Sequence, residues 1–430
     1  MKAILTFIIL IVSIYSFAQN SWSICTTPNF EGRIDDLFMV DTQTGYAVCG
    51  DGKIAKTTDG GYNWVQIHEN NTIYCRSVEF TTAQKGFVGS FSTNSSNTNI
   101  LQRTTDGGTT WSDLSNLLHP RARKGICGLA AADPNTIYGC GNWYQDSAYI
   151  VKSIDGGDSW SFIDMSAYAT SLIDMHFISK DTGFVTGAGL LPLQTAVILY
   201  TTDGGLSWSN KFQNTTPNEY CWKIQHLTDE IYFASIEDMT SVPQSILKSV
   251  DGGLSWTIHQ VGPPDLNLQG VGFIDSLKGW TGGGIISFES NDGGITWDTA
   301  YICPGMNRVF RVNENLLFAS GEKIWKYGPP GTASTGGNKP VQPNTTIQLT
   351  GHPNPVNDHL TVKTVLSKST HSLLILYDAN GKEMKVIDNT DKPKGAYTYN
   401  LHTADLPQGN YFIVLKTHED KAIMKMVVNH

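Results

Sequence analysis

An eight-residue segment occurs six times in the chain, at residues 57–64, 104–111, 153–160, 201–208, 249–256 and 290–297. Each copy opens on Ser or Thr, carries Asp-Gly-Gly at its third to fifth places and ends on Trp. The aspartates (Asp59, Asp106, Asp155, Asp203, Asp251 and Asp292) are spaced by 47, 49, 48, 48 and 41 residues. A fixed period of that size requires units that stack on, or close around, one another, because a single unit cannot bury its own apolar face. The residue types explain themselves as a tight turn. Glycine tolerates positive φ, and the carboxylate accepts backbone N–H bonds across the loop. The closing tryptophans, Trp64, Trp111, Trp160, Trp208, Trp256 and Trp297, each supply an apolar ring to cover it. The six aspartates recur at the periphery of their units and do not converge, so they read as scaffold.

Between the turns a second signal recurs, Gly followed by an aromatic residue: Gly45-Tyr46, Gly86-Phe87, Gly183-Phe184 and Gly279-Trp280. Ile137-Tyr138, Ile231-Tyr232 and Leu316-Leu317 take the equivalent places. Each unit reads as four short strands. In the fourth unit these are an inner one at 172–178, then 183–187, 196–201 and an outer one starting at Trp208. Short, evenly spaced strands with one turn motif per unit predict an all-β fold, a β-propeller. Six turns do not mean six blades. Residues 309–327 hold three further strands, and the missing outer strand lies at 21–24, whose SWSI matches 159–162 and 255–258. The expectation is a seven-bladed propeller over 19–327, closed by its N-terminal strand, which removes exposed sheet edges.

Residues 1–18 read as a signal peptide, with Lys2, an apolar core and Ser16-Phe17-Ala18 before Gln19. No other stretch is apolar enough to span a bilayer, so the mature chain is expected to be exported without a transmembrane segment. A net charge of −9 with no basic stripe argues against a nucleic-acid partner. The seven cysteines form no C-x-x-C pair, and neither a metal nor a cofactor is expected. Cys127 and Cys140 flank a turn and either face each other across a hairpin or are buried thiols. Residues 328–346, rich in Gly, Pro, Ser and Thr, read as a linker, and 92–99 as a long surface loop. Beyond the linker the period, the Asp turns, Trp and Cys all vanish. Alternating strands at 360–366, 372–378, 396–401, 411–417 and 422–428 predict a small antiparallel β-sandwich over 347–430.

The eight-residue turn resembles the Asp-box (BNR) repeat. Its spacing, together with the Gly-aromatic strand, is most similar to the photosystem II assembly-factor-like propellers of bacteria. That resemblance implies a fold and leaves function open, since the repeat is shared by sialidases, xyloglucanase-type hydrolases and sortilin-type receptors. The C-terminal region resembles the type A sorting domain of the type IX secretion system of Bacteroidetes. Pro353, Asn354 and Pro355, the turn ending at Gly381, and Gly409 with Tyr411 carry the likeness. It implies passage through the periplasm to the type IX translocon as partner, and delivery to the cell surface or the extracellular space.

Aligning the units places Asp35, Arg76, Cys127, Ile173, Lys223, Gln269 and Arg308 in one inner-strand column, and Asp36, Ser77, Gly128, Asp174, Ile224, Gly270 and Val309 in the next. Alternation lets only one column face a given side. Asp35, Arg76, Lys223, Gln269 and Arg308 are the candidate channel-mouth residues. They form either a cradle for an anionic group or solvated pairs around a wet channel. Two functions compete. One is a binding module for an extracellular protein or glycan, without catalysis. The other is a secreted glycoside hydrolase, sialidase-like or xyloglucanase-like, using Asp35, Asp36 and Asp174. A sialidase needs three arginines on one carboxylate, for which Arg33, Arg76 and Arg308 are the available set.

Overall fold

The computed structural model describes residues 20–92, 99–141, 148–238, 243–263, 266–329, 347–378, 382–417 and 421–429. The expected leader at 1–18, nearly all of the linker, most of the 92–99 loop and Gly381 lie outside the described residues. The regular elements of the described residues are all strands, apart from two 3-10 turns at Ser115–Leu117 and Pro120–Ala122. No helix among them is long and apolar enough to cross a membrane.

Six four-stranded antiparallel sheets follow in chain order, at 34–69, 73–113, 128–164, 171–213, 219–262 and 270–300. A seventh is built from Arg308–Asn313, Leu316–Ser320 and Ile324–Gly328, and its fourth strand is Ser21–Ile24. In that pairing Trp22 stands opposite Tyr327 and packs edge-on against Trp280, ring centres 5.1 Å apart. The first strands of successive sheets pack side by side, and the circuit returns from Arg308–Asn313 to Ile34–Met39. The outer strands start one residue after the turn tryptophan, as at Ser209–Gln213.

The Gly-aromatic signal is what joins one sheet to the next. Each glycine stands opposite the last residue of the inner strand, as Gly86 does Phe80 and Gly183 does Phe177. A Cβ at Gly86 would come within 2.5 Å of the Phe80 ring. The ring therefore lies over the glycine, and its free face takes an aromatic from the preceding sheet. Tyr46 stacks on Phe80 at 3.9 Å, Tyr138 on Phe177 at 3.6 Å, and Phe233 on Phe273 at 3.6 Å. In the fifth sheet the aromatic place thus falls on Phe233, one residue beyond the expected Tyr232, because His226 pairs with Tyr232 in the ladder.

The Asp turn is a closed hydrogen-bond circuit. Thr201 Oγ1 donates to Asp203 Oδ1 at 2.9 Å and accepts from the Gly205 N–H at 2.9 Å. Asp203 in turn accepts from the Ser207 N–H at 2.9 Å and hydroxyl at 2.5 Å. Those bonds from Ser207 hold the carboxyl down at about 2. Gly204 and Gly205 have φ of 72° and 89°, a left-handed backbone open to glycine. The same circuit recurs at the other copies, as at Asp106 and Asp292.

All seven cysteines are buried and free. Cys140 stands opposite Gly128 rather than Cys127, so the hairpin register does not bring the two thiols together as a cross-strand pair.

The C-terminal region holds two sheets. One is three-stranded (Ile347–His352, His359–Leu366, Gly395–His402) and one four-stranded, in the order Glu383–Lys392, Thr370–Asp378, Gly409–Lys416, Lys421–Val428. A core including Ile347, Leu360, Val362, Leu374, Leu376, Tyr411, Ile413 and Met426 lies between them. Tyr411 also closes its own turn, its hydroxyl donating to the Pro407 carbonyl at 2.8 Å. Asn354 ties the start of the region to its last strand, bonding to the Lys425 carbonyl and the Val427 N–H, both at 2.8 Å. His352-Pro353 and Asn354-Pro355 are cis. Gly409 has φ 157° and extended backbone.

Candidate functional site

Asp35, Asp36, Arg76, Asp174, Lys223 and Arg308 come together as neighbours on the first strands of their sheets. They are not arranged as alternation predicts. Four of these strands carry a register shift at their start, between Ile34 and Asp36, Cys75 and Ser77, Leu172 and Asp174, and Cys221 and Ile224. Each bulge inserts a residue into the ladder and re-aims its neighbours. Adjacent residues such as Asp35 and Asp36 therefore both turn their carboxylates into buried ion pairs, and the two expected columns merge.

Asp35 is fully buried and receives Arg33 Nε at 2.6 Å, Arg76 NH1 at 3.1 Å and Asn307 Nδ2 at 2.7 Å. Burial alone would raise its pKa, but Arg76 and Arg33 more than offset this and hold it below the usual carboxylate range. Arg76 also lies over the Trp222 ring, 4.8 Å from its centre. Arg308 reaches across the channel. Its Nε meets Asp36 Oδ1 at 2.6 Å, and NH1 and NH2 grip Asp174 at 2.9 and 3.1 Å. Asp174 is likewise held low: burial opposes the charge, and Arg308 and then Lys223 outweigh it. Lys223 Nζ stands 3.9 Å from Asp174, its pKa depressed by burial and by Arg308. Gln269 accepts from Arg33 and donates to Glu237 Oε1 at 2.5 Å. Anion cradle and carboxylate pair thus neutralise each other: the cations of one are the partners of the other. Arg33 and Arg76 share Asp35 while Arg308 serves Asp36 and Asp174, so the three arginines do not form a carboxylate-gripping triad.

The same side chains staple sheet to sheet. Asp36 accepts the Val78 N–H at 3.1 Å, Asp174 the Ile224 N–H at 3.1 Å, and Glu79 the Ala131 N–H at 3.3 Å. Gln225 bonds both the N–H and the carbonyl of Phe273, at 2.7 and 2.9 Å. In each case an inner strand reaches the backbone of the next.

An open cavity of about 290 Å³ lies further along the inner strands, with Arg308 in its floor. Phe38, Glu79, Ala130, His176, His226 and Arg311 line it, each two residues beyond a member of the second expected column. Strand alternation beyond the charged row is the signal that reaches them. Phe310 and Met175 add apolar wall. Burial pushes the Glu79 carboxyl up to about 8, whereas burial and the neighbouring His226 push His176 down to about 4. The two imidazoles lie 5.0 Å apart. At neutral pH this mouth therefore presents neutral imidazoles, a protonated acid and aromatic surface around two arginines.

Among the described residues no group of three or more His, Cys, Asp or Glu is placed to hold a metal ion.

Residues 351–429 match the family described as the secretion system C-terminal sorting domain. The chain is exported by type IX secretion to the cell surface or beyond. Pro353, Asn354, Pro355, Gly409 and Tyr411 all fall in the matched sorting domain. No curated protein sequence matches the chain. Among solved structures, YCF48 bound to a D1 peptide superposes with a TM-score of 0.54 at 17% identity, over 72% of this chain and 97% of that one. The WD40 β-propeller domain of Doa1 gives 0.50 at 11%, over 74% and 99%. The extracellular domain of the two-component system protein BT4673 from B. thetaiotaomicron gives 0.50 at 10%, over 96% and 60%. At these identities the likeness is one of fold: the repeat region is a propeller.

Proposed function

We propose that the chain is an exported seven-bladed propeller, residues 19–327, that acts as a binding module for an extracellular protein segment. The propeller is preceded by a signal peptide at 1–18 and followed by a linker at 328–346 and a sandwich-type sorting domain at 347–430. The Asp turns are Asp-box repeats in this reading, and the type IX translocon is the partner of the tail. One observation carries the preference for binding. A glycosidase needs two carboxyls at one groove, and although Glu79 at the mouth is raised as an acid would be, Asp35, Asp36 and Asp174, the expected partners, are buried and engaged by arginines. The aromatic-walled mouth at Phe38, Met175, His176, His226 and Phe310 is the open surface of the channel and serves as the recognition site. That the YCF48 structure is of a peptide complex agrees with a peptide-sized ligand. A peptide array and a glycan panel test the reading with the full-length protein. Selective peptide capture, lost in Phe38→Ser and Phe310→Ser, is expected. Sugar release by the wild-type protein would overturn it.

A further inference from the structure

The four-stranded sheet of the sorting domain is apolar on both faces. Ser372 to Tyr377 and Tyr411 to Leu415 are near-continuous apolar runs, the pattern of strands covered on both sides. The register sorts their side chains. Leu374, Leu415 and Ala422 stand in one row and Leu376, Ile413 and Met424 in the next, facing the domain's own core. On the opposite face Ile375, Val414 and Ile423 form one row, and Tyr377, Phe412 and Lys425 another. Those five apolar side chains are 0–9% exposed, so something covers them.

The cover is the propeller. Ile375, Tyr377, Phe412, Val414 and Ile423 belong to one apolar cluster with Val261, Leu266, Ile286, Phe288 and Trp297 of the fifth and sixth sheets and the loop joining them. Polar contacts fix the seat. Lys425 Nζ lies 3.4 Å from Asp298 Oδ1 and 3.3 Å from the Trp297 carbonyl, and the Tyr301 hydroxyl is 3.5 Å from the Ile423 carbonyl.

We infer that the outer face of the sorting domain is a docking surface whose occupant within the folded chain is the wall of the sixth propeller sheet. The tail is held in a fixed seat rather than carried free on its linker. Any partner that grips this face has to displace the propeller, which then presents its own matching apolar wall. Neither consequence depends on what the channel mouth binds.

Zero-length carbodiimide coupling of the purified full-length chain tests the docking. An amide between Lys425 and Asp298, identified by mass spectrometry within one chain, is expected, and Lys425→Arg should abolish it while keeping the charge. Asp298→Lys should lower the docked fraction at least fivefold, seen as a larger radius of gyration in solution scattering, and adding Lys425→Asp should restore both the compact radius and the cross-link. Val414→Asp, which places a charge on the covered face only, should expand the molecule and recruit an apolar dye. A Lys425–Asp298 yield no higher than that of unpaired surface lysines, or an unchanged radius in both Asp298→Lys and Val414→Asp, would overturn the inference.

Discussion

Arg308→Met removes the guanidinium that spans the channel and leaves Asp36 and Asp174 without their main counter-charge. Breaking a buried ion pair from one side costs about 3–5 kcal/mol, because the remaining charge stays desolvated. Two carboxylates are involved here, but each keeps a backbone donor, Val78 for Asp36 and Ile224 for Asp174. Asp174 also keeps Lys223 at 3.9 Å. The expected loss therefore remains about 3–5 kcal/mol rather than twice that, a fall on the order of 10 °C in melting temperature for a domain of this size. The pH dependence gives the sharper test. In the wild type the Asp174 pKa is depressed, so its contribution is present above the ordinary carboxylate value and is lost as pH falls through the folded one. Without Arg308, burial dominates and raises that pKa, so the variant is penalised where the carboxylate is forced to ionise. The gap between wild type and variant should be widest near neutral pH and narrow toward pH 4. Circular-dichroism melts at several pH values read this directly. Arg308→Met combined with Asp36→Asn and Asp174→Asn should recover most of the loss, since the amides still accept the backbone bonds. A melting temperature unchanged at neutral pH, or a gap that does not depend on pH, would refute the reasoning.

Two further outcomes are expected. Trp22→Ala should cost about 3 kcal/mol in urea unfolding, the low end of the range for tryptophan truncation, because Trp22 is half-buried between Trp280 and Tyr327. Glu79, raised to about 8 chiefly by burial, keeps its proton in the folded chain, so its stabilising effect is complete below the ordinary carboxylate value and is lost as pH rises toward 8. Glu79→Gln should therefore match the wild type near pH 5 and be the more stable near pH 8.5, as thermal melts would show.

The Asp turns were legible because their circuit of hydroxyls, carboxylate and N–H groups closes within eight residues. Thr201, Asp203, Gly205 and Ser207 need no knowledge of the rest of the fold. The charged row was legible as composition but not as geometry. Which side chains share a face depends on the bulges at Asp35, Arg76 and Ile173, and a bulge is defined by the partner strand's register. That Arg308 meets Asp36 and Asp174 rather than a ligand follows from its reach across the ring, which spacing along the chain does not encode. In the sorting domain Glu383–Lys392 was not legible because it is an edge strand, polar over its second half and with Met384 and Val386 left exposed. Ile347–His352 was not legible because it emerges directly from a stretch of linker composition.

The pairing of Ser21–Ile24 with Ile324–Gly328 joins segments 303 residues apart, as the bond from Ser23 to the Lys326 carbonyl shows. The two halves of this clasp are made at opposite ends of synthesis, so the ring stays open until the last of its strands has emerged. A chain cut between residues 301 and 323 leaves Ser21–Ile24 without its partner strand and takes Tyr327 away from Trp280. Joining residue 328 to residue 21 and cutting instead between two whole sheets, at 70–72, should yield a ring in which no sheet is divided between the first and last strands made.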